Sequence, residues 1–363
     1  MSSHIEIPDH ITARTITPPF EASYPSYPEQ SLDKGKNPFG TFYGEAKQLA
    51  ATGDYEGARQ LCAEKTTEVA IETISHFEQA HTVEEGLRFY SYALTLANKG
   101  ITMQWMKNVV PGGREGQDYD QSVPGQPNRG EEILWRTSEY MLLRLHEKFG
   151  YSLQMALQIP NGVPDNTMTI PLYNPVSVDY DKLAEAFPSQ ENEINPVERF
   201  SQGLAHDRSG GYHYRIETVS PSHKDDNGIN RYCIDIVVPE QTLLQAPFNG
   251  KVVHLVTHNT EHGIGQQYGD KDNRILVEYA RANGISITAA LRHLALHSSV
   301  SGSNALPRLQ VGTKVEAGDA LGHIGMTGWT TTSHLHLEIG AYREVSPGQF
   351  VLLQTYPIVM LAS

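Results

Sequence analysis

Between residues 42 and 100 apolar positions return every three or four residues. Ala46, Leu49 and Ala50 share one face, Gly53-Asp54-Tyr55 interrupts it, and Ala58 and Leu61 resume it. That period predicts a helical hairpin, with further helix through 83–98 and again through 131–149. The intervening PGGREGQDYDQSVPGQPNRG at 111–130 is polar and dense in Gly and Pro, as in a long surface loop. Residues 1–38, rich in Pro, Ser and Tyr without a period, read as an extended leader. The proline-rich stretch 159–198 reads as a linker holding one short helix at 181–186.

Past residue 212 the pattern changes. Short apolar or alternating runs at 214–219, 232–238, 250–257, 274–279, 320–324 and 334–339 are separated by Gly, Pro, Asn and Asp. Such closely punctuated runs predict an antiparallel all-β unit. The fold class is therefore α+β and multidomain, a helical N-terminal part followed by an all-β part. Its expected divisions are a leader (1–38), a helical domain (39–160), a linker (161–199), a β domain (200–345) and a tail (346–363). The AKQLAATGDYEGARQLC segment at 46–62 resembles one tetratricopeptide-type hairpin. A single copy is equally an ordinary helical hairpin, because such repeats need neighbours to bury their faces.

Composition narrows the function. With 28 basic and 42 acidic residues in 363, the net charge is −14, which argues against a protein that wraps nucleic acid. No apolar run reaches the ~18 residues of a membrane-spanning helix. Residues 1–22 lack the basic start and apolar core of an ordinary secretory signal. Cys62 and Cys233 form no CxxC pair, so neither a disulfide framework nor a thiolate zinc site is expected, and two buried thiols are.

The sixteen histidines carry the chemistry. In Ser333-His334-Leu335-His336-Leu337-Glu338-Ile339, strand alternation puts His334, His336 and Glu338 on one face and the aliphatic residues on the other. Two imidazoles roughly 7 Å apart along a strand can divide labour, one holding a metal and the other meeting substrate. His254, His258 and His262 recur every four residues, but 252–257 reads as strand, so they are taken as solvated or groove-lining side chains; His297 is taken as incidental.

The approach to this strand, VGTKVEAGDALG at 311–322 and Gly325-Met326-Thr327-Gly328-Trp329, completes a run that resembles the lysostaphin-type (LytM-like) zinc endopeptidases, which hydrolyse peptidoglycan. Tyr232-Cys233-Ile234-Asp235-Ile236, the Ala246-Pro247-Phe248-Asn249-Gly250 step and Leu291-Arg292-His293-Leu294 match further family segments, with Leu291 where the family carries tyrosine. The resemblance covers about residues 200–342.

The resemblance implies an antiparallel fold of the duplicated hybrid motif type and one zinc ion per chain. It implies Asp235 and His336 as zinc ligands and His293 and His334 as catalytic histidines. The usual His-x-x-x-Asp spacing falls on Arg231, so the remaining ligand is assigned to His223 in a longer Ser-His…Asn-Arg-Tyr pattern, with His206 and His213 as rivals. Two imidazoles and a carboxylate suit zinc and leave a fourth position open. Glu338 is a candidate partner for an imidazole, or an ordinary exposed strand residue. The expected function is a zinc metalloendopeptidase acting on stem or cross-bridge peptides of the cell wall. The helical part would recruit a delivery or regulatory partner. A domain of the same fold that only binds cell wall or protein is the alternative. A biotinyl-type carrier would need a lysine at the hairpin tip, and 325–329 has none.

Overall fold

The computed structural model describes residues 40–98, 129–160, 167–189, 195–206, 211–217, 232–263, 265–299 and 308–362. The hairpin forms as α1 (Gly40–Ala51) and α2 (Tyr55–Glu78), followed by α3 (Val83–Asn98) and α4 (Arg129–Phe149). Gly53 takes a left-handed φ of 86°, and Asp54 then caps α2 by accepting from the Gly57 amide at 2.8 Å. Thr82 caps the start of α3: Glu85 N donates to Thr82 Oγ1 at 3.2 Å, and the Glu85 carboxylate reaches back to accept from His81 N at 2.7 Å.

The described part of the stretch expected to be a linker holds regular elements. β1 (Met155–Pro160) and β2 (Thr167–Leu172) form an antiparallel pair, and α5 (Tyr180–Glu185) and α6 (Pro196–Ala205) follow. Pro171 is tolerated because β2 is the edge of its three-stranded sheet, while Ile170 and Leu172 alternate inward. The other edge is β15 (Ile358–Met360), so the expected C-terminal tail closes a sheet begun some two hundred residues earlier.

The remaining strands are β3 (Arg215–Glu217), β4 (Ile234–Val237), β5 (Leu243–Gln245), β6 (Gly250–Val256), β7 (His262–Gly263), β8 (Arg274–Ala282), β9 (Ile285–Arg292), β10 (Lys314–Val315), β11 (Ala320–His323), β12 (Gly328–Trp329), β13 (His334–Ser346) and β14 (Gln349–Thr355). Among the described residues one eight-stranded sheet runs β10-β6-β8-β9-β13-β4-β3, with β14 also pairing β13. Leu335, Leu337, Ile339 and Ala341 of β13 point into a buried core that continues through Leu291 and Ile236 to Tyr140, Leu94 and Phe77 of the helices. Helices and sheet thus share one apolar interior, the helices meeting the sheet at β3. That leaves the opposite face of β4, β9 and β13 for polar side chains. Both cysteines are free and buried. No helix among the described residues is long and apolar enough to cross a membrane.

Candidate metal centre

Strand register assembles the site. His336 pairs with Asp235 on one side and Arg292 on the other, Arg292 pairs with Arg274, and Asp235 pairs with Glu217. Five ionisable residues therefore form one row across β8, β9, β13, β4 and β3. His336 Nδ1 lies 3.0 Å from Asp235 Oδ1, and His334 Nε2 lies 3.6 Å from the same oxygen.

His293 joins them by leaving the strand. Just past β9 its φ of 65° turns the backbone, and its ring stands 4.6 Å from that of His334 and 5.9 Å from that of His336, centroid to centroid. Its Nδ1 donates to the Thr327 carbonyl at 2.7 Å, and Gly325 N donates back to the His293 carbonyl at 2.9 Å. The glycines of this loop are dictated by packing. A Cβ on Gly328, whose φ is 90°, would meet the Asp272 side chain at 2.7 Å, and one on Gly325 would meet Ala295 backbone at 2.7 Å.

These bonds fix the chemistry. A carbonyl only accepts, so Nδ1 of His293 carries a proton. So does Nδ1 of His334, which donates to the Thr332 carbonyl at 2.9 Å. A neutral ring bonded in this way offers its Nε2 lone pair. Burial and the two neighbouring imidazoles hold His293 well below the usual histidine range, hence neutral. Burial also opposes charge on His336, but the Asp235 carboxylate, with Cys233 and Glu338, outweighs it and holds that ring well above the range. The Asp235 carboxylate and His336 Nδ1, 3.0 Å apart, supply one oxygen and, once that ring gives up its Nδ1 proton, one nitrogen of the N/O donor set zinc takes, so these residues fit the metal.

Glu338 is buried, not an exposed strand residue; it is 2% exposed. Its Oε2 accepts from the Cys233 thiol at 3.6 Å and lies 3.9 Å from His336 Nε2. Its Oε1 accepts from the Tyr342 hydroxyl and lies 3.8 Å from Arg292 Nη2. Burial pushes the Glu338 carboxyl up, but His336 and Arg292 bring it below its ordinary value. Burial pushes the Cys233 thiol up to about 11.

Asp235, His293, His334 and His336 are therefore brought together, whereas His223 lies outside the described residues. Of its rivals, His213 lies 3.8 Å from Glu139 on α4, and His206 caps the C-terminus of α6. His254 stands edge-on to Phe350 and His297 N donates to the Thr257 carbonyl. Sequence reasoning passed over Arg292, Thr327 and Tyr342. Tyr342 was within reach, since it continues the period-two face of His334, His336 and Glu338.

Residues 230–347 match the model of Peptidase family M23. Every side chain of the described cluster falls inside this M23 segment. Among solved structures, the chain is similar to a zinc-containing peptidase from Vibrio cholerae at 19% identity, covering 32% of this chain and 28% of that one, with a TM-score of 0.22. It is similar to the catalytic domain of a prophage-encoded M23 protein from Enterococcus faecalis at 27% identity, covering 32% and 72%, with a TM-score of 0.21. A third is the catalytic domain of lysostaphin from Staphylococcus simulans, at 26% identity, covering 34% and 78%, with a TM-score of 0.23. The Vibrio protein is thus spanned over less than a third of its length. No curated protein matches the chain.

Proposed function

We propose that the M23 segment is a zinc-dependent metalloendopeptidase that hydrolyses peptide bonds of bacterial peptidoglycan. The approach of His334 and His336 to Asp235, with His293 packed against both rings, inside residues 230–347, carries this reading. Asp235 and His336 would hold the ion, with His223 as the remaining protein ligand. Zinc in an N/O site supplies Lewis acidity, lowering the pKa of water toward about 7 and polarising a carbonyl oxygen.

The chain's own groups do the rest. His334, with Nδ1 committed to Thr332, presents Nε2 as a base that takes a proton from the attacking water. His293, fixed by Thr327 and kept neutral, presents its own Nε2 to the same space and orients water or substrate there. Once protonated, His334 can return that proton to the leaving amine. The helices, which contact β3 beside the Asp235-bearing β4, would act as a targeting or regulatory module.

Incubation of the purified chain with peptidoglycan, with products identified by mass spectrometry, tests the reading. New amino termini should appear, vanish with a chelator and return with zinc. Full hydrolysis by the metal-stripped chain, or none by the zinc-loaded chain, overturns it.

A further inference from the structure

His336 stands between two carboxylates, and only one can share a metal with it. Asp235 faces Nδ1 at 3.0 Å and is also approached by His334. Glu338 faces Nε2 at 3.9 Å and is already engaged on its far oxygen. There the Tyr342 hydroxyl donates to Oε1, and the Arg292 guanidinium lies 3.8 Å away. Arg292 is itself held by Asp272 at 3.5 Å, and Asp272 by Arg274 at 3.2 Å. Tyr342 and Arg292 thus hold Oε1, and Oε2 is the oxygen that faces His336.

Resting on the metallopeptidase reading above, we propose that Glu338 is a positioning residue for His336. In the zinc-bound chain it accepts from the Nε2–H, which keeps the proton on Nε2 and leaves Nδ1, beside Asp235, as the metal-binding lone pair. A carboxylate that receives the second N–H of a ligating imidazole fixes its tautomer and ring angle and strengthens it as a ligand. Tyr342, four residues along the same strand face, and Arg292, across the ladder, hold that carboxylate in turn.

A rival arrangement has to be met. Cys233, His336 and Glu338 have ligand atoms all within 4.8 Å of one another, a set that could hold an ion by itself. Arg292 argues against it, because a dication on Glu338 would sit beside a fixed guanidinium. Cys233 instead behaves as a donor to the carboxylate.

Glu338→Gln and Tyr342→Phe test the proposal in the full chain, each checked for a cooperative thermal transition. Zinc affinity is read by chelator competition, and the ring nitrogens of His336 by nitrogen-15 NMR of the zinc-loaded protein. Glu338→Gln should weaken zinc about 10- to 100-fold, and the protonated Nε2 signal of His336 should shift. Tyr342→Phe, which keeps the carboxylate, should shift that signal in the same direction with a smaller loss of affinity. Unchanged affinity and an unchanged His336 signal in either folded variant overturn the positioning role while leaving the zinc site standing. A thiolate-to-metal band in the cobalt-substituted chain that Cys233→Ser removes also overturns it, placing the ion on the inner trio. A wild-type chain that takes up no zinc at all overturns the metal centre, and the positioning role with it.

Discussion

The Thr327 carbonyl accepts a 2.7 Å hydrogen bond from His293 Nδ1, while the Thr327 hydroxyl donates to the Leu294 carbonyl at 2.9 Å and accepts from Asn273 N at 2.9 Å. One residue of the Gly-Met-Thr-Gly loop thus locks both the tautomer of His293 and the backbone that follows it. Replacing the hydroxyl by a methyl in Thr327→Val keeps the volume and strands a buried amide. Stability should fall by about 1–3 kcal/mol, measured by urea unfolding, with turnover falling further than zinc occupancy. A variant as stable and as active as the parent would show that the loop, not the hydroxyl, carries the ordering.

Division of labour along β13 gives a second test. His336 faces Asp235 through Nδ1 at 3.0 Å, whereas Nδ1 of His334 is spent on Thr332 and that of His293 on Thr327. His336→Ala should abolish stoichiometric zinc. His334→Ala and His293→Ala should retain it and lose turnover by about 10²–10⁴-fold, the usual worth of a positioned acid–base group. Metal analysis beside a peptide-cleavage assay separates the two classes. Loss of zinc in His334→Ala would reverse the roles.

The legible parts of the fold were those with a period. The face shared by His334, His336 and Glu338 follows from alternation alone, and the hairpin break at Gly53-Asp54 from its turn chemistry. β9 was missed because it lies at the middle of the sheet with residues 286–291 buried on both faces, which erases alternation. β1, β2 and β15 were missed because their stability comes from pairing across the length of the chain, which no local pattern encodes. The burial of Glu338 was hidden for a similar reason: Arg292 comes from β9 and Cys233 from just before β4, and only Tyr342 shares its strand.

Metal uptake should depend steeply on pH. Without metal, His336 carries a proton held by Asp235, its pKa lying well above the ordinary value of ~6.5. Because that pKa is raised on folding, the proton stabilises the metal-free chain fully below ~6.5, and the benefit fades as pH climbs through the folded value. Zinc must displace this proton, so its apparent affinity should rise with pH up to the folded pKa, about tenfold per unit for one proton. Calorimetry in buffers of different ionisation enthalpy should show about one proton released per zinc from this ring near neutral pH. No release would mean that His336 is already neutral before metal arrives.

Topology supports His223 as the proposed remaining ligand. β3 and β4 are antiparallel neighbours with Glu217 opposite Asp235, so the described chain stops and resumes beside the Asp235 row. His223 is six residues beyond Glu217, and at ~3.4 Å per extended residue that length is ample to bring an imidazole back to Asp235. The Asp225-Asp226-Asn227-Gly228 sequence favours the turn this requires. His213 lies toward the opposite end of β3, next to Glu139, and His206 ends α6. Arg231, at the commoner spacing, is a fixed cation and cannot ligate. His223→Ala should therefore lose bound zinc and turnover together, while His206→Ala and His213→Ala keep both, as read by metal analysis of each purified variant. Zinc retained in full by His223→Ala would remove that residue from the site. Should His206→Ala and His213→Ala keep zinc as well and no variant hydrolyse peptide, the balance would move to a domain that binds cell wall without cutting it.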